Sequence, residues 1–123
     1  MPAPFATDAA WQGIVALYAD PALERELLRA QDERGQDVVL LLFARWVAAQ
    51  GHALDAAALA EAELLVAPWR AQVVAPLRAL RRSMKALSGD AAWREAVRDK
   101  VKAAELAAER AQVQMLCEWL HAR

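Results

Sequence analysis

Apolar residues recur along most of the chain with the three- and four-residue spacing of an α-helix. Trp11, Ile14 and Tyr18 begin the pattern, and Leu23 and Leu27 carry it into a second run. Residues three and four apart lie side by side on a helix, so each run defines one apolar face. The pattern predicts an all-α bundle of five to seven helices.

The third run, from Val38 to Gln50, is apolar on nearly every side, and Arg45 is its only charge. A helix without a polar face is normally buried. We therefore predict that this third helix lies at the centre of the bundle. Arg45 must then reach solvent along its stem or find a carboxylate.

Capping residues and prolines predict where the helices begin and end. Short polar side chains that can accept hydrogen bonds from free amide groups precede five helices: Thr7 or Asp8, Asp20, Asp37, Asp55 and Asp90. Gly35 is the predicted left-handed terminator of the second helix. Pro68 should end the fourth helix near Ala67, and Pro76 should kink or split the next one.

No helix breaker occurs from Ala91 to about Ala122, which predicts one long amphipathic helix at the end of the chain. Its apolar seam comprises Trp93, Val97, Val101, Ala104, Ala108, Ala111, Met115 and Trp119. Two interpretations remain open. The seam contacts the core of its own chain, or its far end docks onto a second subunit with Trp119 as the interface anchor.

Composition limits the class of protein. The chain has 123 residues, 58% hydrophobic and 25% charged, which fits a single globular domain over residues 1–123. The lone cysteine, Cys117, rules out a disulfide framework and favours a reducing compartment. The N-terminus lacks a signal-peptide pattern, and the longest apolar run is too short to span a membrane. We expect a cytoplasmic protein with no membrane association.

The net charge of −1 hides an asymmetry between the two halves of the chain. Residues 1–66 contain ten acidic and four basic residues, and the remainder contains six acidic and eleven basic residues. Either the two halves pair their charges, or the second half presents a basic surface to an anionic partner.

A basic stripe is the one charged feature that stands out. Arg78, Arg81, Arg82 and Lys85 share one helix face, and the opposite face is predicted to be buried: Val73, Leu77, Leu80, Met84 and Leu87. The stripe is either a solvated face that pairs with acids such as Glu61 and Glu63, or a binding patch for an anion or partner. Nucleic acid is only an alternative partner, because no aromatic residue interleaves with the arginines.

Residues able to carry catalysis are scarce, so we predict a protein that is not an enzyme and has no cofactor. Glu118 and His121 have the spacing of a di-iron ligand pair, but the chain lacks a second copy of that motif. Glu118 also disfavours a thiolate at Cys117. One alternative is a ligand cleft at the start of the third helix, formed by Asp32, Asp37 and Arg45, although capping already explains the two aspartates.

Three strings resemble an uncharacterised proteobacterial family of short all-helical proteins, a domain of unknown function: QDERGQDVVLLLFARW, APWRAQVVAPLRALRRSMK and VKAAELAAER. The resemblance implies an all-helical fold and a bacterial cytoplasmic setting, and it supplies no catalytic residues. Our leading hypothesis is a non-enzymatic protein–protein interaction or adaptor protein, with a homodimer as one form. The alternatives are a regulator that binds nucleic acid or another polyanion, and a small-ligand binder or enzyme.

Overall fold

A computed structural model of the chain describes residues 5–87 and 92–123. These residues form six α-helices and one π-helical segment: α1 (Thr7–Tyr18), α2 (Pro21–Arg34), α3 (Val38–Ala49), α4 (Ala56–Trp69), the π-helical segment Arg70–Val74, α5 (Ala75–Ala86) and α6 (Ala92–Ala122). The described part contains no β-strand. The all-α prediction is therefore confirmed.

Helix α3 is the central element of the bundle. Its buried residues are Val38, Val39, Leu40, Leu42, Phe43 and Val47, and they join one core with apolar residues of α1, α2, α4 and α6. This central position follows from the apolar composition of α3, because a helix without a polar face must be covered on several sides. Arg45 lies on the exposed side of α3, so it reaches solvent.

Local capping chemistry sets most of the helix ends. The Asp20, Asp37 and Asp55 carboxylates accept hydrogen bonds from first-turn amides of α2, α3 and α4 at 3.0, 3.1 and 2.8 Å. Gly35 ends α2 in the left-handed conformation, with φ of 62°. The predicted cap of α1 is wrong: Ala6 occupies that position without a side-chain hydrogen bond. Asp90, the predicted cap of the last helix, lies outside the described residues.

The predicted boundary near Ala67 is also wrong, because α4 continues through Pro68 to Trp69. The irregularity comes after it, in the π-helical segment, where the Ala75 amide donates to the Arg70 carbonyl five residues back. Pro76 follows at once. A proline has no amide to donate, and its ring clashes with the carbonyl four residues earlier, so a wider turn ahead of it relieves that contact.

Helix α6 is covered along only part of its length. Its buried residues are Glu105, Ala108, Gln112, Val113, Leu116 and Cys117, so none of the residues 92–104 is buried. The indole N–H of Trp69 donates to the Ala108 carbonyl at 2.9 Å and ties α4 to the covered half. The predicted apolar seam is therefore wrong at its beginning, because the first half of α6 packs along α5 and not on the core.

Candidate functional site

A cleft of about 530 Å³ lies between α1, α2, α3, α5 and α6. Its floor is apolar and includes the buried residues Ile14, Val38, Val39 and Leu42. Its walls carry charge on three helices: Glu24 on α2, Arg78, Arg81 and Arg82 on α5, and Lys102, Glu105 and Glu109 on α6. Apolar clefts with a few convergent polar groups and a volume of roughly 300–1,000 Å³ are typical of ligand sites.

The basic stripe does not lie as the sequence analysis predicted. Arg78 and Arg81 turn towards α6, where the guanidinium groups contact the Glu105 carboxylate at 3.6 and 2.5 Å. Arg82 and Lys85 remain exposed. Glu61 and Glu63, the acids expected to pair with the stripe, form ion pairs elsewhere. Glu61 pairs with Arg123, and Glu63 with Arg70. Only part of the stripe is a solvated surface.

The face opposite the stripe is only partly buried, which corrects a second expectation: Val73, Leu77 and Met84 are half-buried, whereas the other two residues are exposed. No residue of α5 is buried, and Leu80 and Leu87 are 47% and 60% exposed. A buried carboxylate on α6 accounts for this orientation. Glu105 is 5% exposed, and a buried charge without a partner is strongly unfavourable. Arg78 and Arg81 therefore face it, and Leu80 and Leu87 face outwards.

Glu109 sits one helical turn beyond Glu105 on the wall of the cleft. Burial raises the pKa of its carboxyl to about 7. Arg78 and Arg81 act against this shift, whereas the nearby negative charges of Glu105 and Asp37 add to it. Burial likewise raises the pKa of Tyr18 on the facing wall, so its hydroxyl stays protonated near neutral pH. The cleft therefore contains a carboxyl group that changes charge near neutral pH.

Asp37 is the centre of a buried polar network beside this cleft. One carboxylate oxygen caps α3, and the other accepts hydrogen bonds from the Arg70 guanidinium and the Gln112 side-chain amide, each at 2.9 Å. Arg70 also binds Glu63 through two hydrogen bonds. The Asp37 side chain is 5% exposed. Its single carboxylate thus joins α3, the π-helical segment and α6.

The structure does not bring Asp32, Asp37 and Arg45 together as the lining of a cleft. Asp32 lies exposed on α2, and Arg45 lies exposed two turns along α3 from the cap. None of the three lines the cleft described above, although the start of α3 contributes to its floor through Val38 and Val39.

Trp119 packs within its own chain. It lies partly buried against the core, and its indole N–H donates to the Glu61 carboxylate at 2.9 Å. The tryptophan of α6 that faces solvent is Trp93, at the opposite end, where it is 67% exposed. Its neighbour one turn later, Val97, is 52% exposed.

Leu80, Leu87, Trp93 and Val97 together form a surface that we call the apolar face. Leu80 is on α5, Leu87 directly follows its last residue, and the other two are on the adjoining half of α6. On each helix, the spacing of 100° per residue turns them away from the side chains that line the cleft. The cleft and the apolar face thus occupy opposite sides of the same pair of helices.

A family model described as "Protein of unknown function (DUF2390)" matches residues 9–116. The chain belongs to this family. No curated protein and no solved structure matches the chain. The family match includes every residue of the cleft and of the apolar face, whereas Trp119 lies beyond it.

Within residues 5–87 and 92–123, no three potential metal ligands come together. The pKa of the Cys117 thiol is raised by burial and by the adjacent Glu118 carboxylate. A hydrogen bond with Thr7 acts in the opposite direction. None of the helices in the described part has the length and apolarity needed to span a membrane.

Sequence reasoning missed Lys102, Glu105 and Glu109. A signal for them exists: positions 102, 105, 106 and 109 repeat the steps of three, one and three that define the stripe at 78, 81, 82 and 85. Two stripes with the same steps on helices that pack together predict opposed charged faces.

Proposed function

We propose that the protein is a non-enzymatic interaction protein that forms a homodimer through its apolar face. The observation that carries this proposal is the exposure of Leu80, Leu87, Trp93 and Val97 on one side of the α5–α6 pair. Contiguous exposed apolar surface is unfavourable in water and is typical of interaction sites. Trp is also among the residues that most often anchor protein interfaces.

A second copy of this chain is the partner that this surface fits best. In the segments 75–87 and 92–104, helical spacing places Lys100 at the edge of the apolar face, and the Arg94 guanidinium lies over the Trp93 ring, 4.9 Å from its centroid. Arg82 and Lys102 belong to the cleft side, so these two basic residues stay apart from the contact when two apolar faces meet. Two helix pairs packed in this way form a four-helix bundle, and a two-fold axis makes the contact self-complementary.

Sedimentation equilibrium tests the proposal. The parent chain is expected to be dimeric in the micromolar range, and Leu80→Glu or Val97→Glu should make it monomeric with an unchanged helical circular dichroism spectrum. Leu64→Glu is the matched control, because Leu64 is 78% exposed on α4, away from this surface. A parent chain that stays monomeric at several hundred micromolar, or a Leu64→Glu variant that dissociates equally, would remove the homodimer.

Polyanion binding is a second candidate, supported by the exposed bases Arg82, Lys85 and Lys102. It has less support, because Arg78 and Arg81 already pair with Glu105. Affinity for a polyanion should fall steeply with salt, since phosphate contacts release counterions. Arg82→Glu and Lys85→Glu should each reduce that salt dependence to a similar extent. Binding to nucleic acid that does not respond to salt, or that is absent in the parent chain, would dismiss this function.

The absence of enzymatic activity and the bacterial cytoplasmic setting are further parts of the proposal. A buried cysteine thiol with a raised pKa is a poor nucleophile, and Asp37 is already engaged in capping and ion pairing. A single buried cysteine fits a reducing compartment. Fractionation of the native cells, with detection of the protein by antibody, tests the location.

A further inference from the structure

We infer that the cleft binds a small organic anion that carries an apolar body, such as an aliphatic carboxylate or sulfonate. The anionic group lies at Arg82 and Lys102, and the apolar body lies on the floor formed by α1 and α3. This site is separate from the apolar face, because the two occupy opposite sides of the α5–α6 pair.

The apolar body is inferred from the walls and floor. Ile14, Val39 and Leu42 are buried beneath the cleft, and Val15 and Leu106 at its rim are 51% and 48% exposed. These rim side chains leave apolar surface in contact with water. A ligand that covers them removes that surface from solvent, which favours binding in proportion to the area buried.

The negative charge of the ligand is inferred from the basic residues that lack an ion-pair partner. Arg78 and Arg81 share Glu105 at one end of the cleft. Among the described residues, Arg82 and Lys102 line the same cleft with no carboxylate within ion-pair distance. An anion between them gains two charge-assisted contacts, and a guanidinium matches the geometry of a carboxylate or sulfonate group.

Glu109 makes the affinity depend on pH. The charged and titratable groups around it are Arg78 and Arg81 on α5, Asp37 on α3, Tyr18 on α1, Glu24 on α2 and Glu105 on α6. Burial raises the pKa of Glu109 to about 7. Above that pH the carboxylate repels an anion in the cleft, and below it the neutral acid does not.

Titration calorimetry with n-alkyl sulfonates tests the inference, because a sulfonate keeps its charge across the pH range. Affinity should rise about fourfold per added methylene from hexane- to decanesulfonate, below the critical micelle concentration, until the cleft is full. The matched n-alkylammonium ions should bind at least tenfold more weakly. Saturable binding of the ammonium series in preference to the sulfonates would overturn the inference, as would no binding of either at millimolar concentration.

Arg82→Glu and Lys85→Glu form a matched pair of variants. Both reverse one exposed charge on α5, but only Arg82 lines the cleft. Arg82→Glu should weaken decanesulfonate binding more than tenfold, and Lys85→Glu less than threefold. Equal losses would indicate attraction to general surface charge and would refute the site. Val15→Trp at the exposed rim should shorten the longest chain that still gains affinity.

The pH dependence supplies an independent measurement. Decanesulfonate affinity of the parent chain should fall as pH rises from 6 to 8, whereas Glu109→Gln should bind with the same affinity across that range. A Glu109→Gln variant that retains the full pH dependence would contradict the placement of the anion beside this carboxyl group.

Discussion

Replacing Asp37 with Ala removes two separable contributions to stability. Loss of the α3 cap should cost about 1 kcal/mol. Loss of the acceptor for the Gln112 amide leaves a donor without a partner on a fully buried side chain, which adds about 2 kcal/mol. Arg70 keeps Glu63 and is a quarter exposed, so its contribution is small. The expected destabilisation is about 3 kcal/mol.

Urea denaturation followed by helical circular dichroism measures this loss. Asp55→Ala is the matched control, because Asp55 caps α4 through the same kind of hydrogen bond and has no further side-chain partner among the described residues. It should lose about 1 kcal/mol. The double variant Asp37→Ala with Gln112→Leu should recover part of the difference, because it removes the orphaned donor. If Asp37→Ala and Asp55→Ala destabilise the protein equally, the buried network contributes nothing and the argument fails.

Three further outcomes are expected. Gly13→Ala should destabilise the protein by about 2 kcal/mol despite the better helix propensity of Ala, because the added Cβ would lie 2.0 Å from the Trp46 ring nitrogen. The midpoint of urea denaturation tests this, and a variant more stable than the parent chain would contradict it. Glu109 has a folded-state pKa of about 7, above its unfolded value near 4.5, so the unfolding free energy should decline as pH rises from about 4.5 to 7. Glu109→Gln should remove that part of the decline, and identical pH profiles would refute the assignment. Cys117 should react with a thiol reagent at the rate of unfolding, since it is 3% exposed; rapid labelling of the native protein would disprove its burial.

Features that depend on neighbouring residues in the chain could be predicted from the sequence. The caps at Asp20, Asp37 and Asp55 and the left-handed Gly35 are local, because each bond joins residues a few positions apart. The burial of α3 followed from its composition. Each of these features is determined by residues within one short segment of the chain.

The orientation of α5 could not be predicted, because a residue on another helix decides it. An apolar stripe and a basic stripe on one helix normally place the apolar side inwards. Here Glu105, 24 positions beyond Arg81, is buried and requires the guanidinium groups. The role of Asp37 was predicted only in part for the same reason. Its cap is local, whereas Arg70 and Gln112 lie 33 and 75 positions away.

The π-helical segment determines how far α5 is rotated relative to α4 about their common axis. A π-type turn holds one more residue than an α-turn, and each residue advances a helix by 100°. If the same residues formed a regular α-helix instead, the surplus residue would rotate everything after it by about that angle, whereas deleting the exposed Ala71 would leave the orientation of α5 unchanged. In the regular α-helix the side chains of α5 would take up new positions. Arg81 would then swing away from Glu105, and Leu80 would move towards the space it left. By accommodating one surplus residue, the π-turn thus fixes the rotation of α5 about its axis. That rotation decides which side of α5 meets α6 and which side meets water.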